Sequence, residues 1–170
     1  MKVGFRASLI LVALLLPALS WSKGATTMII VEGVSLSSTV EISDADIVSI
    51  FDVWNGPGVR VNGQATYLNP ENLERSFVDW SQGPTIGSPE PTDRFDVTFV
   101  VEERPAPRNR YVVTYQFDPL VPGGYIHLPK STANTGLILH GVEGNWFHSS
   151  QSFERLIRPI IEDAMVRDGL

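Results

Sequence analysis

Apolar and polar residues alternate along several short segments of the chain. Alternation with a period of two places every second side chain on one buried face, which is typical of a β-strand. The connections RPAPRN and PLVPG between the strongest segments are rich in turn-forming residues, which predicts an antiparallel meander. The predicted strands are 26–33, 37–44, 95–103, 110–118, 124–129 and 135–141.

The C-terminal segment changes to a helical period. In SSQSFERLIRPIIEDAMVRDG the apolar residues recur every three or four positions and form one continuous stripe. Ser149 or Ser150 can cap the helix start, and Pro159 predicts a kink because it lacks a backbone N–H. A short helix is predicted at 44–51, after the second strand. We therefore predict an α+β fold, an antiparallel β-meander with one short N-terminal helix and a long amphipathic C-terminal helix packed on one face.

The N-terminal segment predicts export. Lys2 and Arg6 precede an apolar run at 9–19, and small residues follow it, which is the order of a signal peptide. The run is well short of the roughly 20 residues that cross a bilayer. We predict a signal peptide at 1–22, a single globular α+β domain at 26–170, and a periplasmic or extracellular location without a membrane span after signal removal.

Composition narrows the range of source organisms and of binding partners. The chain has no cysteine and no Asn-x-Ser/Thr acceptor site, which favours a bacterial export substrate over a disulfide-stapled eukaryotic one. The net charge is -6, and removal of the basic leader makes the remainder more negative. A negative surface argues against nucleic acid or an anionic membrane as the partner. The oligomeric state does not follow from the sequence.

One motif could hold a metal. His140, Glu143 and His148 form H-x2-E-x4-H within HGVEGNWFHSS, and histidine and carboxylate groups are suitable zinc ligands. The spacing matches no helix-based zinc motif. The alternative is a connector between the last strand and the helix, in which glycines make turns and Trp146 and Phe147 pack in the core. The segment thus predicts either a zinc site or a structural hinge.

A second group of residues could form a ligand-binding surface. Tyr125 and His127 alternate with the apolar positions of their predicted strand, so both lie on the open face of the sheet. Trp54, Trp80 and Trp146 stand in the glycine- and proline-rich loops around it. We predict that these five residues contact a ligand.

No catalytic constellation is recognisable in the sequence. The chain lacks a cysteine nucleophile and a Gly-x-Ser-x-Gly elbow. The glycine-rich NGPGVRVNG (55–63) lacks the lysine and the following helix of a phosphate loop, and helix capping accounts for Asp44 and Asp46 without calcium. These observations leave the catalytic residues, if the protein is an enzyme, unidentified.

The order of several segments resembles that in a group of small exported bacterial proteins of uncharacterised function. The segments are VEISD, FDVWNGPGV, SFVDW, RYVVTYQFDP, GYIHLP and HGVEGNWFHSS. The resemblance implies one domain and export, and it supplies no activity, cofactor or catalytic residue that could be transferred to this chain. The leading hypothesis is a non-catalytic exported domain that binds a small ligand or a protein partner. The alternatives are a metal-assisted hydrolase centred on His140, Glu143 and His148, and a structural envelope component.

Overall fold

A computed structural model describes most of the chain from residue 24 onwards. The described residues are 24–57, 60–61, 64–65, 75–87, 93–102, 109–130, 142–167 and 169. The strands among them are β1 (Ala25–Gly33), β2 (Val40–Ile42), β3 (Arg60–Val61), β4 (Gln64–Ala65), β5 (Asp93–Glu102), β6 (Asn109–Phe117), β7 (Gly124–His127) and β8 (Trp146–His148). The helices among them are α1 (Ala45–Val48), α2 (Gln151–Leu156) and α3 (Arg158–Arg167).

Six of these strands form one antiparallel sheet, in the order β2-β1-β5-β6-β7-β8. The strands β3 and β4 form a separate two-stranded hairpin. The predicted α+β class and the antiparallel sheet are confirmed. The predicted strand at 135–141 lies outside the described residues. The sixth strand of the sheet is β8, which lies in the segment interpreted as a connector, so that interpretation was wrong for residues 146–148.

The two faces of the sheet differ in composition because side chains alternate along each strand. The core face carries the apolar side chains of the central strands, and these pack into one buried cluster with the helices. Its largest fully buried members include Phe95, Phe99, Tyr115, Phe117 and Ile126. The outer face carries the intervening positions, which are mostly polar. We refer to these as the core face and the outer face below.

The short helix α1 begins at an aspartate cap. The Asp44 side chain accepts a hydrogen bond from the backbone N–H of Asp46, at 2.8 Å. The predicted helix at 44–51 is longer than the observed one. Beyond Val48 the backbone N–H groups of Ile50 and Phe51 bond to carbonyls three residues earlier. This tighter hydrogen bonding closes the last turn and brings Phe51 into the core.

The C-terminal helical segment begins at Ser150, whose hydroxyl accepts a hydrogen bond from the N–H of Phe153 at 3.1 Å, as predicted for one of two serines. Ile157 separates α2 from α3 and keeps a right-handed helical backbone. The interruption lies two residues before Pro159, which has no N–H to continue the helix hydrogen bonds. Among the described residues, no helix has the length and apolar character needed to cross a membrane.

A set of polar side chains joins the helical segment to the core face, and we call it the helix network: Tyr115, Ser149, Glu154 and Arg158. One oxygen of Glu154 accepts hydrogen bonds from the Tyr115 hydroxyl, at 2.8 Å, and from the Ser149 hydroxyl. Its other oxygen lies 3.3 Å from the Arg158 guanidinium. Arg158 also bonds to Glu162 and stacks over the Phe117 ring. The network fixes α2 and α3 relative to β6 and the end of β8.

Candidate functional site

Three of the predicted ligand-binding residues lie together on the outer face. The strands β7 and β8 pair so that Tyr125 is opposite His148 and His127 is opposite Trp146. Directly opposite residues in an antiparallel pair project to the same face, with their Cβ atoms about 5 Å apart. The structure therefore brings Tyr125, His127 and Trp146 together, and adds His148 to them.

The four side chains form two ring pairs. The ring centroids of Tyr125 and His148 are 5.0 Å apart, and those of His127 and Trp146 are also 5.0 Å apart. Each pair is tilted and combines one imidazole with one larger aromatic ring. All four residues are half-buried. Part of their aromatic ring surface is therefore exposed on the outer face.

The same register continues into the neighbouring strands. On β6, Gln116 lies opposite Tyr125 and Thr114 lies opposite His127. On β5, Arg94 lies opposite Gln116 and Asp96 lies opposite Thr114. The outer face thus has two parallel rows of four residues each, which we call the ring face. The first row is Arg94, Gln116, Tyr125 and His148, and the second row is Asp96, Thr114, His127 and Trp146.

The charged ends of the two rows are linked through Thr114. A guanidinium nitrogen of Arg94 lies 3.4 Å from the Thr114 hydroxyl, which in turn lies 3.3 Å from an Asp96 carboxylate oxygen. Both distances are at the long end of the hydrogen-bonding range, so the links are weak. Arg94 and Asp96 thus place a positive and a negative charge side by side on β5, and Glu32 of β1 lies opposite Asp96.

The first row contains a buried acceptor without a partner. Gln116 is only 9% exposed, and its Oε1 has no hydrogen-bond partner among the described residues. Native proteins leave few buried polar atoms unpaired because each costs about 1–3 kcal/mol. The Tyr111 hydroxyl is also buried and unpaired, but it lies on the core face near the charge of Glu143. Only the Gln116 oxygen belongs to the ring face.

His127 lies in an environment that disfavours its protonated form. Burial lowers the pKa of the imidazole, and the positive charges of Arg94 and Lys130 lower it further. A hydrogen bond between the imidazole and the backbone of Gly144 acts in the opposite direction without outweighing them. The ring in the centre of the second row is therefore neutral at pH 7.

The segment 75–87 holds β8 in place from the sheet edge. The backbone N–H groups of Asp79 and Thr85 donate to the carbonyls of His148 and Trp146, at 2.9 and 2.8 Å. Burial would raise the pKa of the Asp79 carboxyl, but hydrogen bonds from Gln82 and Ser81, together with His148, lower it. This support positions both outward-facing rings of β8.

The other two predicted ligand-binding residues lie elsewhere. Trp80 is 6% exposed, packs edge-on against Phe147, and donates its indole N–H to the carbonyl of Asn55. Trp54 is half-buried, and its indole N–H donates to the carbonyl of Gly24, at 2.9 Å. Both indole nitrogens are thus used by the backbone, and neither tryptophan belongs to the ring face. Loop composition alone did not distinguish these anchors from surface rings.

The predicted metal ligands are described only in part. His140 lies outside the described residues. Glu143 precedes β8, and burial together with the Glu143 charge raises the pKa of Tyr111. His148 is the last residue of β8, and its ring is tilted against that of Tyr125. No group of three or more histidine, aspartate or glutamate side chains within the described ranges could hold a metal ion. The zinc hypothesis stays a prediction, which metal analysis of the purified protein and of a His140→Ala variant would test.

Sequence reasoning missed four members of the ring face: Arg94, Asp96, Thr114 and Gln116. The signal was present, because all four occupy the polar positions between the apolar ones of predicted strands or directly beside them. Their juxtaposition with the rings depends on strand register, which the alternation pattern leaves open.

Known proteins offer no template for this site. Comparison of the chain with protein-family models, with curated proteins and with solved structures found no match. The resemblance to small exported bacterial proteins therefore stays a prediction.

Proposed function

We propose that the protein is an exported, non-catalytic domain that binds a small ligand on the ring face. The observation that carries the proposal is the pair of rows, in which stacking rings, hydrogen-bonding groups and an unpaired buried acceptor lie side by side. Binding sites combine apolar and aromatic surface with a few placed polar groups in this way. Export is supported by the signal-peptide pattern at 1–22.

The size of the ring face favours a small ligand over a protein partner. Four strands make each row roughly 14 Å long, and the two rows are roughly 7 Å apart along the strands. A stable protein interface covers about 800 Å² on each partner, several times the area that these rows enclose.

The two faces of the sheet have different contacts, and this difference also supports the proposal. We propose that the C-terminal segment acts as an amphipathic helix that covers the core face. Phe153 packs edge-on against Tyr115 and Phe51, and Ile157, Ile161 and Ala164 are buried. With one face used for the core, the rings on the other face remain for contacts outside the domain.

The test is a thermal-shift screen of the full chain against a broad library of small metabolites. Each stabilising compound is then measured against Trp146→Ala and against Trp54→Phe, which alters a tryptophan away from the ring face. We expect stabilisation that Trp146→Ala abolishes and Trp54→Phe retains. Stabilising compounds that bind both variants equally would place the site elsewhere and refute the proposal.

A further inference from the structure

We infer that the ligand of the ring face is an uncharged, hydroxyl-rich molecule, with a neutral oligosaccharide as the best fit. The inference rests on the proposed function and names its ligand class. It follows from three properties of the rows: the exposed rings, the unpaired acceptor and the arrangement of charges.

The rings require a ligand with a flat, weakly polar surface. Tyr125, His127, Trp146 and His148 present half-buried ring surface over the two strands β7 and β8. Aromatic faces are electron-rich and attract C–H groups and cations. A sugar ring has a face of C–H groups, so it satisfies this requirement without carrying a charge.

The unpaired acceptor requires a hydrogen-bond donor. The Gln116 Oε1 is a carbonyl-type oxygen that can only accept hydrogen bonds. It is buried within the first row, directly opposite Tyr125 and Arg94. A ligand O–H or N–H that reaches it would satisfy an atom that the described residues leave unpaired. Sugar hydroxyls supply such donors beside the C–H face.

The charges disfavour ligands of either sign. Arg94 and Lys130 lie close enough to His127 to lower its pKa, so a cation above this ring would be repelled. Asp96, beside Arg94 at the β5 end of the rows, and the Gln116 oxygen within the first row would repel an anion. A ligand that covers both rows therefore meets repulsion whether it is cationic or anionic. Neutral hydroxyl groups can instead donate to Asp96 and accept from Arg94.

The Gln116 oxygen is buried, so a ligand reaches it only when neighbouring side chains move, and Arg94 lies directly opposite Gln116. Arg94 is exposed, and its described hydrogen bond to Thr114 is long, at 3.4 Å. Its guanidinium can rotate away from the row at little cost, since exposed side chains change rotamer readily. We infer that the bound sugar occupies the space beside Gln116. Hydroxyl groups on its outer edge then accept hydrogen bonds from the Arg94 guanidinium.

Calorimetric titration of the full chain with matched hexasaccharides tests the inference. The neutral probes are hexamers of glucose, linked α-1,4 or β-1,4, and of N-acetylglucosamine. The charged probes are the glucosamine hexamer, which carries amines on the same backbone, and a hexamer of galacturonic acid. We expect at least one neutral hexamer to bind, and each charged hexamer to bind at least tenfold more weakly.

Three variants assign the binding to the ring face. Trp146→Ala should weaken binding of the neutral hexamer at least tenfold, and Trp54→Phe should leave it unchanged. Gln116→Met keeps the side-chain volume but removes the acceptor, so affinity should fall about two- to tenfold while the melting temperature is unchanged or higher.

The outcomes separate this inference from the proposed function. Tighter binding of a charged hexamer, no binding of any neutral hexamer, or unchanged affinity in Gln116→Met overturns the saccharide inference. The proposed function survives these results if a library compound of another class binds in a manner that Trp146→Ala abolishes. Neutral hexamers that bind Trp146→Ala as well as the unaltered chain overturn both.

Discussion

Tyr115 and Gln116 are neighbours in β6, but they belong to two regions that differ in whether their buried polar atoms have hydrogen-bond partners. The Tyr115 hydroxyl points to the core face and donates to Glu154, within the helix network. The Gln116 side chain points to the ring face, where its Oε1 has no partner among the described residues. The strand β6 thus contributes one side chain, Tyr115, whose polar atom is hydrogen-bonded. It contributes another, Gln116, whose Oε1 is unpaired among the described residues.

The difference teaches how to separate a structural polar cluster from a candidate site. In the helix network every charge has a partner: Arg158 contacts two carboxylates and also donates to the carbonyls of Val121, Gly123 and Asp118. Partly buried charges such as Arg158 and Glu154 stabilise the fold most when every charged group has a bonding partner. The ring face has weaker links and half-buried rings, which add little stability and leave groups for a ligand. The predictions below test this contrast.

The largest effect is expected for Glu154→Ala. The change leaves the Tyr115 and Ser149 hydroxyls and one side of Arg158 without their acceptor, and we expect a loss of about 2–4 kcal/mol in the free energy of unfolding. Urea unfolding measures it. The matched variant Glu162→Gln alters a more exposed partner of Arg158 and should cost less than about 1 kcal/mol. Equal losses in the two variants would contradict a special role for Glu154.

Gly124→Ala should produce the next largest loss. An added Cβ would lie 2.6 Å from the Tyr115 ring and 2.8 Å from the backbone oxygen of Gln116, so β6 and β7 would have to separate. Overpacking of this kind costs about 1–3 kcal/mol. The control is Gly123→Asn, because Gly123 has a positive φ that asparagine tolerates and open space around its Cβ position. A Gly124→Ala variant as stable as the unaltered chain would contradict the close packing of β7 against β6 at this position.

The two regions also differ in how far the sequence predicts them. Alternation predicted β5, β6 and β7 almost to their ends, and the helical stripe predicted the helices after Ser150, because both patterns depend on residues close in the chain. The helix network and the ring face also depend on contacts between separate elements, such as Asp96–Thr114 and Tyr115–Glu154, which are 18 and 39 positions apart. No local pattern specifies such pairings.

The strand β8 shows why the candidate site was only partly predicted. Three residues are too few to display alternation, and the glycines before them indicated a turn. The strand is set by its partners, β7 on one side and the segment 75–87 on the other. Once its register is known, the interpretation of His148 changes. It is a ring of the outer face, tilted by 40° against the Tyr125 ring with 5.0 Å between the centroids.

A smaller effect on stability is expected for the ring pairs. Cross-strand pairs contribute about 0.2–1 kcal/mol each, and these are half-exposed. A double-mutant cycle that combines His127→Ala with Trp146→Ala should give a coupling energy in this range, and a cycle across the two pairs, with Tyr125→Ala and Trp146→Ala, should give less. A coupling energy of several kcal/mol would make the ring face a structural cluster like the helix network, and would weaken the case for a ligand.

The smallest expected effect is a pH dependence of stability that arises from His127 of the ring face. Burial, Arg94 and Lys130 lower the pKa of His127 below its ordinary value of 6.5, so the unfolded chain binds a proton at a higher pH than the folded one does. Stability should therefore fall as the pH falls through 6.5 towards the lower folded pKa, and then level off. The lowered pKa of Asp79 acts in a separate window, below its ordinary value of 3.8. His127→Gln should flatten the stability profile between pH 7 and pH 5, as measured by urea unfolding at each pH, and NMR titration of the imidazole gives the folded pKa directly. An imidazole that titrates at or above 6.5 would contradict the positive surroundings on which the choice of a neutral ligand depends.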